Sequence, residues 1–199
     1  MKRLGILISG RGSNLLAIAD SIASGKLNAE VAVVISNRAD APGIAAARDR
    51  GFKAVVLPSK GLDREAYDQQ LVTELESSRV DLICLAGYLR LFSPAFIRRF
   101  PLRILNIHPS LLPAFPGLNV QQQALDHGVK FSGCTVHFVD QGLDSGPIIM
   151  QAAVPVLDGD TAATLAERIL KEEHRIYSEA IALVLSRKWR IEGRRVVAV

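Results

Sequence analysis

The sequence contains no long hydrophobic run, few aromatic residues and only two cysteines among its 199 residues. No apolar segment reaches the roughly 20 residues that a transmembrane helix requires, so we expect no membrane association. Cys84 and Cys134 fall inside predicted strands, and this indicates buried, reduced thiols of a cytoplasmic protein. The four histidines lack the spacing of metal ligands, and we predict no metal site.

The chain also lacks a concentrated charge. Lys and Arg together number 24 and Asp and Glu 20, which gives a formal net charge of +4. The basic residues are scattered and few aromatic residues lie between them, so the composition does not indicate a nucleic-acid-binding protein. A diffuse positive charge is compatible with anionic small molecules. The apolar run Leu4 to Ser9 is too short for a signal peptide and leads into a glycine turn, so we interpret it as the first strand.

Short apolar runs alternate with segments of helical periodicity along the chain. This alternation predicts an α/β fold with a mostly parallel, twisted sheet flanked by helices, and we expect one domain over residues 1–199. The predicted strands are Leu4 to Ser9, Ala29 to Ser36, Phe52 to Leu57, Leu82 to Ala86, Ile104 to His108, Ser132 to Val139 and Pro147 to Pro155. The predicted helices are Asn14 to Ser24, Pro42 to Arg50, a helix capped by Asp63 and ending near Ser78, a helix capped by Ser93 and ending near Phe100, Gln121 to Asp126, and a long helix capped by Asp160 that runs from Thr161 to about Leu185. The remaining residues, 189–199, form either a pair of short strands or an irregular tail.

The first candidate site is the glycine turn Gly10-Arg11-Gly12-Ser13, which joins the first strand to the first helix. Backbone N–H groups and the helix dipole make such a turn an anion site, and a phosphate is the natural ligand. A dinucleotide fits less well, because Leu15 stands where the third glycine of that fingerprint belongs and the second strand ends in Ser36-Asn37-Arg38 without an acid. A structural turn that binds nothing is the remaining alternative.

The second candidate site is the end of the strand Ile104 to His108. Asn106 and His108 are two residues apart, so an extended strand places both side chains on one face, and Pro109 then ends the strand. Asp144, in a turn-rich segment, could orient His108 and favour its charged form. An amide, an imidazole and a carboxylate together can stabilise an oxyanion and move a proton. The alternative is a buried polar pair that only caps a strand.

Several motifs, in order along the chain, resemble those of the folate-dependent formyltransferase family. The resemblance runs from Leu4 to about Ser186 and rests on Ser9-Gly10-x-Gly12-Ser13-Asn14, Leu85-Ala86-Gly87-Tyr88-Leu89-Arg90, Asn106-x-His108-Pro109-Ser110-Leu111-Leu112-Pro113, Gly133-x-Thr135-Val136-His137 and Leu143-Asp144-x-Gly146-Pro147-Ile148-x-x-Gln151.

The resemblance implies a Rossmann-like formyltransferase fold and a two-substrate reaction. The amine of glycinamide ribonucleotide would attack the formyl carbon of the cosubstrate 10-formyltetrahydrofolate, a step of purine (IMP) synthesis. Asn106 and protonated His108 would stabilise the tetrahedral oxyanion, and Asp144 would sustain the imidazolium. His108, Asp144 or a bound water could carry the proton from the amine to the folate nitrogen.

The resemblance also implies the binding residues. Gly12, Ser13 and Asn14 would hold the substrate phosphate, and Glu173 would bind the ribose hydroxyls. The expected folate-binding residues are Arg64, Leu89, Arg90, Leu91, Phe92, Asn106, Val139, Asp140, Gln141, Gly142, Leu143 and Asp144. The family often carries His where this chain has Asn119, so the chain departs from the family pattern in the loop over residues 110–131. His137 is expected to be structural rather than catalytic.

Related and unrelated functions remain as alternatives. A formyltetrahydrofolate hydrolase would carry an additional amino-terminal domain and a transfer RNA formyltransferase an additional carboxyl-terminal one, and we expect neither in this chain. A nucleotide-binding regulatory module would need the glycine turn and not the set of Asn106, His108 and Asp144. The expected assembly is a monomer or a homodimer acting on small molecules, without nucleic acid or membrane.

Overall fold

The computed structural model describes residues 1–199. The chain divides into two compact units, Met1–Asn106 and Ile107–Val199. The fifth strand crosses the boundary, so its first three residues belong to the first unit and its last two to the second.

The first unit is a parallel sheet with helices in the connections. The elements are β1 (Lys2–Ile8), α1 (Ser13–Ala23), β2 (Ala29–Ser36), α2 (Pro42–Asp49), β3 (Ala54–Val56), α3 (Arg64–Ser77), β4 (Leu82–Leu85), α4 (Pro94–Arg99) and β5 (Ile104–His108). The strands pair side by side in the order β3-β2-β1-β4-β5, and every pairing is parallel.

The strands of this unit are buried on both faces. Leu4, Ile6, Leu7 and Ile8 of β1 are fully inaccessible, although neighbouring side chains of a strand point to opposite faces. A parallel sheet covered on both sides by its crossover helices has this continuous apolar pattern. Because all five strands run the same way, their carboxyl ends and the loops that follow lie at one edge.

The second unit combines antiparallel and parallel pairs. The elements are α5 (Val120–Asp126), β6 (Phe131–Phe138), β7 (Ile148–Pro155), α6 (Ala162–Ser186), β8 (Trp189–Glu192) and β9 (Arg195–Ala198). Strand β6 pairs with β7 in the antiparallel sense, β7 with β9 in the parallel sense, and β9 with β8 in the antiparallel sense. Helix α6 packs on β6 and β7 through a buried stripe that includes Leu165, Ile169, Ile176 and Ile181.

The predicted fold class, an α/β chain with a mostly parallel sheet flanked by helices, is confirmed. The residues from Trp189 onward form a pair of short strands, the first of the two expected alternatives. Strand β3 is shorter than predicted because the Phe52 N–H donates to Ala47 O and holds Phe52 in the turn that ends α2.

The cap of α6 was predicted wrongly. Thr161, not Asp160, is the N-cap: its hydroxyl accepts the Thr164 N–H, and the Thr164 hydroxyl accepts the Thr161 N–H. Asp160 instead accepts hydrogen bonds from Arg168 and from the Thr164 hydroxyl. The chain offers two adjacent capping residues, and the ion pair with Arg168 takes the carboxylate away from the helix end.

Candidate active site

The glycine turn after β1 has the geometry expected of an anion site. Gly12 adopts a left-handed conformation (φ 74°) and is the N-cap of α1, and its carbonyl accepts the Leu16 N–H at 3.0 Å. No side chain caps this end of the helix, so the first-turn N–H groups and the helix dipole face the turn. The turn therefore keeps the chemistry that a phosphate requires.

Gly43 of α2 supports the same turn, which the sequence reasoning missed. Its N–H donates to Gly10 O at 3.0 Å, and a Cβ atom at position 43 would lie 2.9 Å from that carbonyl oxygen. Only a glycine allows the backbone of α2 to approach the turn so closely. The Pro-Gly pair at the start of α2 was the available signal.

The segment after β4 presents apolar side chains to solvent. Leu89 is 64% and Leu91 57% exposed, whereas Tyr88 is buried. The ring of Phe92 stacks between those of Tyr88 and Phe96, with centroids 5.5 Å and 4.3 Å apart. A short exposed apolar segment on an aromatic base suits a flat heterocyclic ligand.

The Arg90 side chain turns back toward the protein. Its guanidinium donates to the carbonyl oxygens of Ser59, Leu62 and Asp63 at 3.1–3.3 Å and lies over the Tyr67 ring, 4.6 Å from the centroid. It thereby fixes the segment that precedes α3. Asp63 caps that helix as predicted, accepting the Ala66 N–H at 2.9 Å, and the adjacent Arg64 is exposed.

Strand β5 carries Asn106 and His108, as the sequence predicted. Their positions alternate around Ile107, so both side chains leave the same face of the strand. Asn106 is half-buried and His108 is 4% exposed. The imidazole therefore lies in an environment of low dielectric, where hydrogen bonds and charges have a larger effect than in water.

Both ring nitrogens of His108 face oxygen acceptors. Nε2 lies 2.9 Å from Phe115 O, and Nδ1 lies 3.4 Å from Oδ2 of Asp144. A carbonyl accepts only, so Nε2 carries a hydrogen in this arrangement. The imidazolium is the form that can donate from both nitrogens at once.

Asp144 belongs to a loop that is itself strongly constrained. Its own backbone is left-handed (φ 49°), and its Oδ2 accepts the Gly117 N–H at 2.9 Å. Within the loop, Asp140 Oδ1 accepts from Gly142 N at 3.0 Å and from the Ser145 hydroxyl at 2.7 Å. The loop leaves Gln141, Gly142 and Leu143 exposed while holding the Asp144 carboxylate inward.

A second histidine also faces this carboxylate. His137 Nε2 lies 3.7 Å from Asp144 Oδ1, and its Nδ1 lies 2.9 Å from Phe138 O. Burial lowers the pKa of His137, so the neutral ring is favoured. The sequence reasoning treated this residue as structural. His137 lies near the end of β6, and Asp144 lies in the turn-rich loop that follows this strand. This closeness in sequence was the signal that could have indicated a contact between the two side chains.

Glu173 lies near the middle of α6 and is only 8% exposed. Its helical spacing with Ile169, Ile176 and Ala180 places it on the buried stripe rather than among the surrounding charged residues. The burial of Cys134 and the charge of Glu173 together raise the pKa of that thiol to about 12. A buried carboxylate is a fixed acceptor with two oxygens, the type of group that binds adjacent hydroxyls.

The loop after His108 is held by hydrogen bonds from β6 and β7. The Thr135 hydroxyl donates to Ser110 O at 2.7 Å and accepts the Leu112 N–H at 3.0 Å, and Gln151 Nε2 donates to Leu112 O at 2.9 Å. Asn119 is exposed and left-handed at the N-cap of α5, without a side-chain cap. These contacts give the motif residues Thr135 and Gln151 a structural role.

No group of three or more His, Cys, Asp or Glu side chains is arranged to hold a metal ion. No helix combines the length and apolar character needed to cross a bilayer.

Comparison with known proteins gives consistent results. Residues 2–181 match the family model described as formyl transferase. The chain is 45% identical over 190 residues to the phosphoribosylglycinamide formyltransferase of Escherichia coli, covering 95% of this chain and 87% of that protein. It is 49% identical over 188 residues to the trifunctional purine biosynthetic protein adenosine-3 of Drosophila pseudoobscura pseudoobscura, covering 93% of this chain and 14% of the fly protein's length.

The fold agrees with these matches. The crystal structure of glycinamide ribonucleotide transformylase 1 from Symbiobacterium toebii superimposes with a TM-score of 0.97 at 56% identity, covering all of this chain and 94% of that one. The family model spans both units, and it contains the glycine turn, β5 and the Asp144 loop. The chain therefore belongs to the formyl transferase family.

Proposed function

We propose that the chain transfers the formyl group of 10-formyltetrahydrofolate to the amine of glycinamide ribonucleotide, a step of purine synthesis. The observation that carries this proposal is the contact between His108, buried at the end of β5, and the carboxylate of Asp144, in a chain that is 45% identical to the E. coli phosphoribosylglycinamide formyltransferase. We propose residues 1–199 as one formyltransferase catalytic domain.

The chemistry assigned to the pair is that of an oxyanion site. The amine nitrogen attacks the formyl carbon, the carbonyl electrons move to oxygen, and the collapse of this intermediate breaks the bond to the folate nitrogen. Asn106 and the His108 imidazolium donate hydrogen bonds to the oxyanion, and Asp144 holds the imidazolium in place. The amine loses one proton and the folate nitrogen gains one, so the reaction needs no external acid or base.

The hydrogen bonds of His108 indicate which nitrogen meets the substrate. Nδ1 faces Asp144, whereas Nε2 donates to the backbone carbonyl of Phe115. In the proposed complex the oxyanion takes the Nε2 hydrogen bond in place of that carbonyl. Nδ1 of His108 then keeps its contact with Asp144, while the Nε2–H donates to the oxyanion.

The binding residues follow the same proposal. The turn of Gly12, Ser13 and Asn14 holds the phosphate, because a helix N-terminus favours an anion. Glu173 takes the ribose hydroxyls, and Arg64 takes an anionic group of the folate. The other folate-binding residues proposed are Leu89, Arg90, Leu91, Phe92, Asn106, Val139, Asp140, Gln141, Gly142, Leu143 and Asp144.

Two further properties belong to the proposal. The cosubstrate is a folate and no metal takes part. We place the activity in the cytoplasm, and the state of Cys84 and Cys134 supports a reducing compartment, because both are buried thiols rather than a disulfide.

A turnover assay with both substrates tests the proposal. Purified protein should produce formylglycinamide ribonucleotide and tetrahydrofolate in equal amounts, detected by mass spectrometry, and Asp144→Asn should lose most of this activity. Formate released at the same rate without the ribonucleotide would identify a hydrolase. Binding of the ribonucleotide without any transfer would favour a nucleotide-binding regulatory module.

A further inference from the structure

A closed ring of hydrogen bonds lies at the edge of the first unit where its parallel strands end. Of the residues in this ring, only Leu89 and Arg90 belong to the proposed binding sites. Ser9, the first residue after β1, is 3% exposed. Its N–H donates to Gly87 O at 3.1 Å, its hydroxyl accepts the Leu89 N–H at 2.8 Å, and the same hydroxyl donates to Oδ1 of Asn37 at 2.6 Å. One residue therefore joins the glycine turn to the segment that follows β4.

Asn37 closes the ring from the end of β2. It is 8% exposed; its side-chain Nδ2 donates to the Ser59 hydroxyl at 3.3 Å, and its backbone carbonyl accepts the Ser59 N–H at 3.2 Å. The carbonyl of Ser59 accepts from Arg90 Nη1 at 3.3 Å, and Arg90 follows Leu89 in the chain. The ring thus links the residues after β1, β2, β3 and β4.

We propose that Asn37 is a positioning residue that couples the binding of the two substrates. By accepting the Ser9 hydroxyl hydrogen, it directs the hydroxyl lone pair to the Leu89 N–H and so sets the folate-facing segment relative to the phosphate-binding turn. This inference rests on the proposed function, since it assigns the turn to phosphate and the segment to folate.

The physical reason is that Ser9 shares its backbone with the turn. A phosphate that orders Gly10 to Asn14 also restrains Ser9. Through the two hydrogen bonds that Ser9 makes with Gly87 and Leu89, it restrains those residues as well. A folate that then binds the segment after β4 causes a smaller loss of conformational entropy, because that segment is already restrained. Each substrate therefore strengthens the binding of the other. Without the side-chain Oδ1 of Asn37 the Ser9 hydroxyl can rotate, and its hydrogen bond with the Leu89 N–H weakens.

The experiment measures this coupling directly. Isothermal titration would give the Kd of a non-transferring folate analogue with and without saturating glycinamide ribonucleotide, for the wild type and for Asn37→Ala. We expect the ribonucleotide to tighten folate binding at least about fivefold in the wild type, the lower end of typical couplings. In Asn37→Ala the ratio should fall to about one.

Kinetics separate positioning from a general loss of structure. Asn37→Ala should raise KM for the folate about tenfold, the effect of one lost buried hydrogen bond, with little change in kcat, because the contact is made in the ground state and the transition state alike. Asn28→Ala, at an exposed asparagine before β2, is the matched control and should change neither value. If Asn37→Ala does not fold, Ser59→Ala opens the same ring at a half-buried position and should also lower the coupling.

Two results would overturn the inference. One is a wild-type ratio of about one, and the other is a lowered Tm in Asn37→Ala or Ser59→Ala with the coupling unchanged. Failure of the proposed function looks different, because the wild type would then not transfer the formyl group at all.

Discussion

Ser13 is the residue at which the phosphate assignment is most directly testable. It is the first residue of α1, so Ser13→Asp places a negative charge where the substrate phosphate is proposed to lie. KM for the ribonucleotide should rise by tenfold or more, about the effect of a like charge at close range, and KM for the folate should change much less. Steady-state kinetics with each substrate varied in turn measures both.

Ser24→Asp is the control for net charge, because Ser24 is exposed and lies at the opposite end of the same helix. It should leave both KM values near those of the wild type. Equal increases for both substrates in Ser13→Asp would show that the turn does not bind the phosphate.

Asp144 and His108 should behave as one catalytic unit. Asp144→Asn keeps the shape and removes the negative charge that faces Nδ1 of His108, so kcat near pH 7 should fall by roughly 10²–10⁴. His108→Ala should cost a similar factor, and the double variant little more, because residues that act together are not additive.

The measurement is kcat near pH 7 for the three variants and the wild type under conditions where chemistry limits the rate. Losses that multiply in the double variant, or an unchanged kcat in Asp144→Asn, would show that the two residues do not act as one unit.

His137 should make stability depend on pH. Burial holds the pKa of its folded-state imidazole below the unfolded value of about 6.5. As the pH falls through about 6.5, the unfolded chain therefore binds a proton that the folded chain does not, and the free energy of unfolding decreases. The contribution is fully present above that pH.

Urea unfolding of the wild type and His137→Gln between pH 5 and pH 8 measures this effect. The loss of stability toward pH 5 should be smaller in His137→Gln, since its side chain does not titrate. Parallel pH dependences in the two proteins would rule out His137 as the origin. The difference between the proteins isolates this residue, because all other titrating groups are common to both.

Helix α6 is the helix whose N-cap was predicted at the wrong residue. The contribution of its actual cap to stability can be tested. Thr161 and Thr164 exchange two hydrogen bonds at its N-terminus. Thr161→Ala should destabilise the protein by about 1 kcal/mol, the usual cost of losing a cap. Thermal or urea unfolding measures it, and Thr73→Ala on the exposed face of α3 is the control.

Thr73 bonds only to the carbonyl of Gln69 within its own helix, so its loss should be nearly neutral. Equal losses in the two variants would indicate that the cap contributes nothing beyond the removal of a threonine side chain.

For the molecule as a whole, hydrogen exchange tests where the folate binds. A folate analogue should slow amide exchange at Leu89 to Phe92 and at Asp140 to Asp144, because both segments are short and solvent-facing and open easily without a ligand. Exchange with and without the analogue, followed by peptide mass spectrometry, measures it, and α6 serves as an internal reference. Protection confined to residues 10–14 would favour the nucleotide-binding module.

The periodicity of the sequence was sufficient to predict nearly every element. Apolar runs such as Leu82 to Leu85 and the stripe of α6 follow from local spacing, and the Asp63 and Ser93 caps follow from residue type. The boundaries that were missed, at β3 and at the start of α6, depend on a turn hydrogen bond and on an ion pair with Arg168, which no local pattern records.

Residue types and spacing alone establish that Asn106 and His108 share a face of one strand and that a glycine turn precedes a helix. These relations lie within single elements, where strand and helix geometry fixes them. The tertiary structure alone decides that the Asp144 carboxylate contacts both His108 and His137. It also decides that the Arg90 guanidinium donates to three backbone carbonyls. Finally, it places Ser9 and Asn37 where their hydrogen bonds connect the residues that follow four strands. Such contacts join residues far apart in the chain, and they form only when strand pairing and turn geometry have brought those residues within hydrogen-bonding distance.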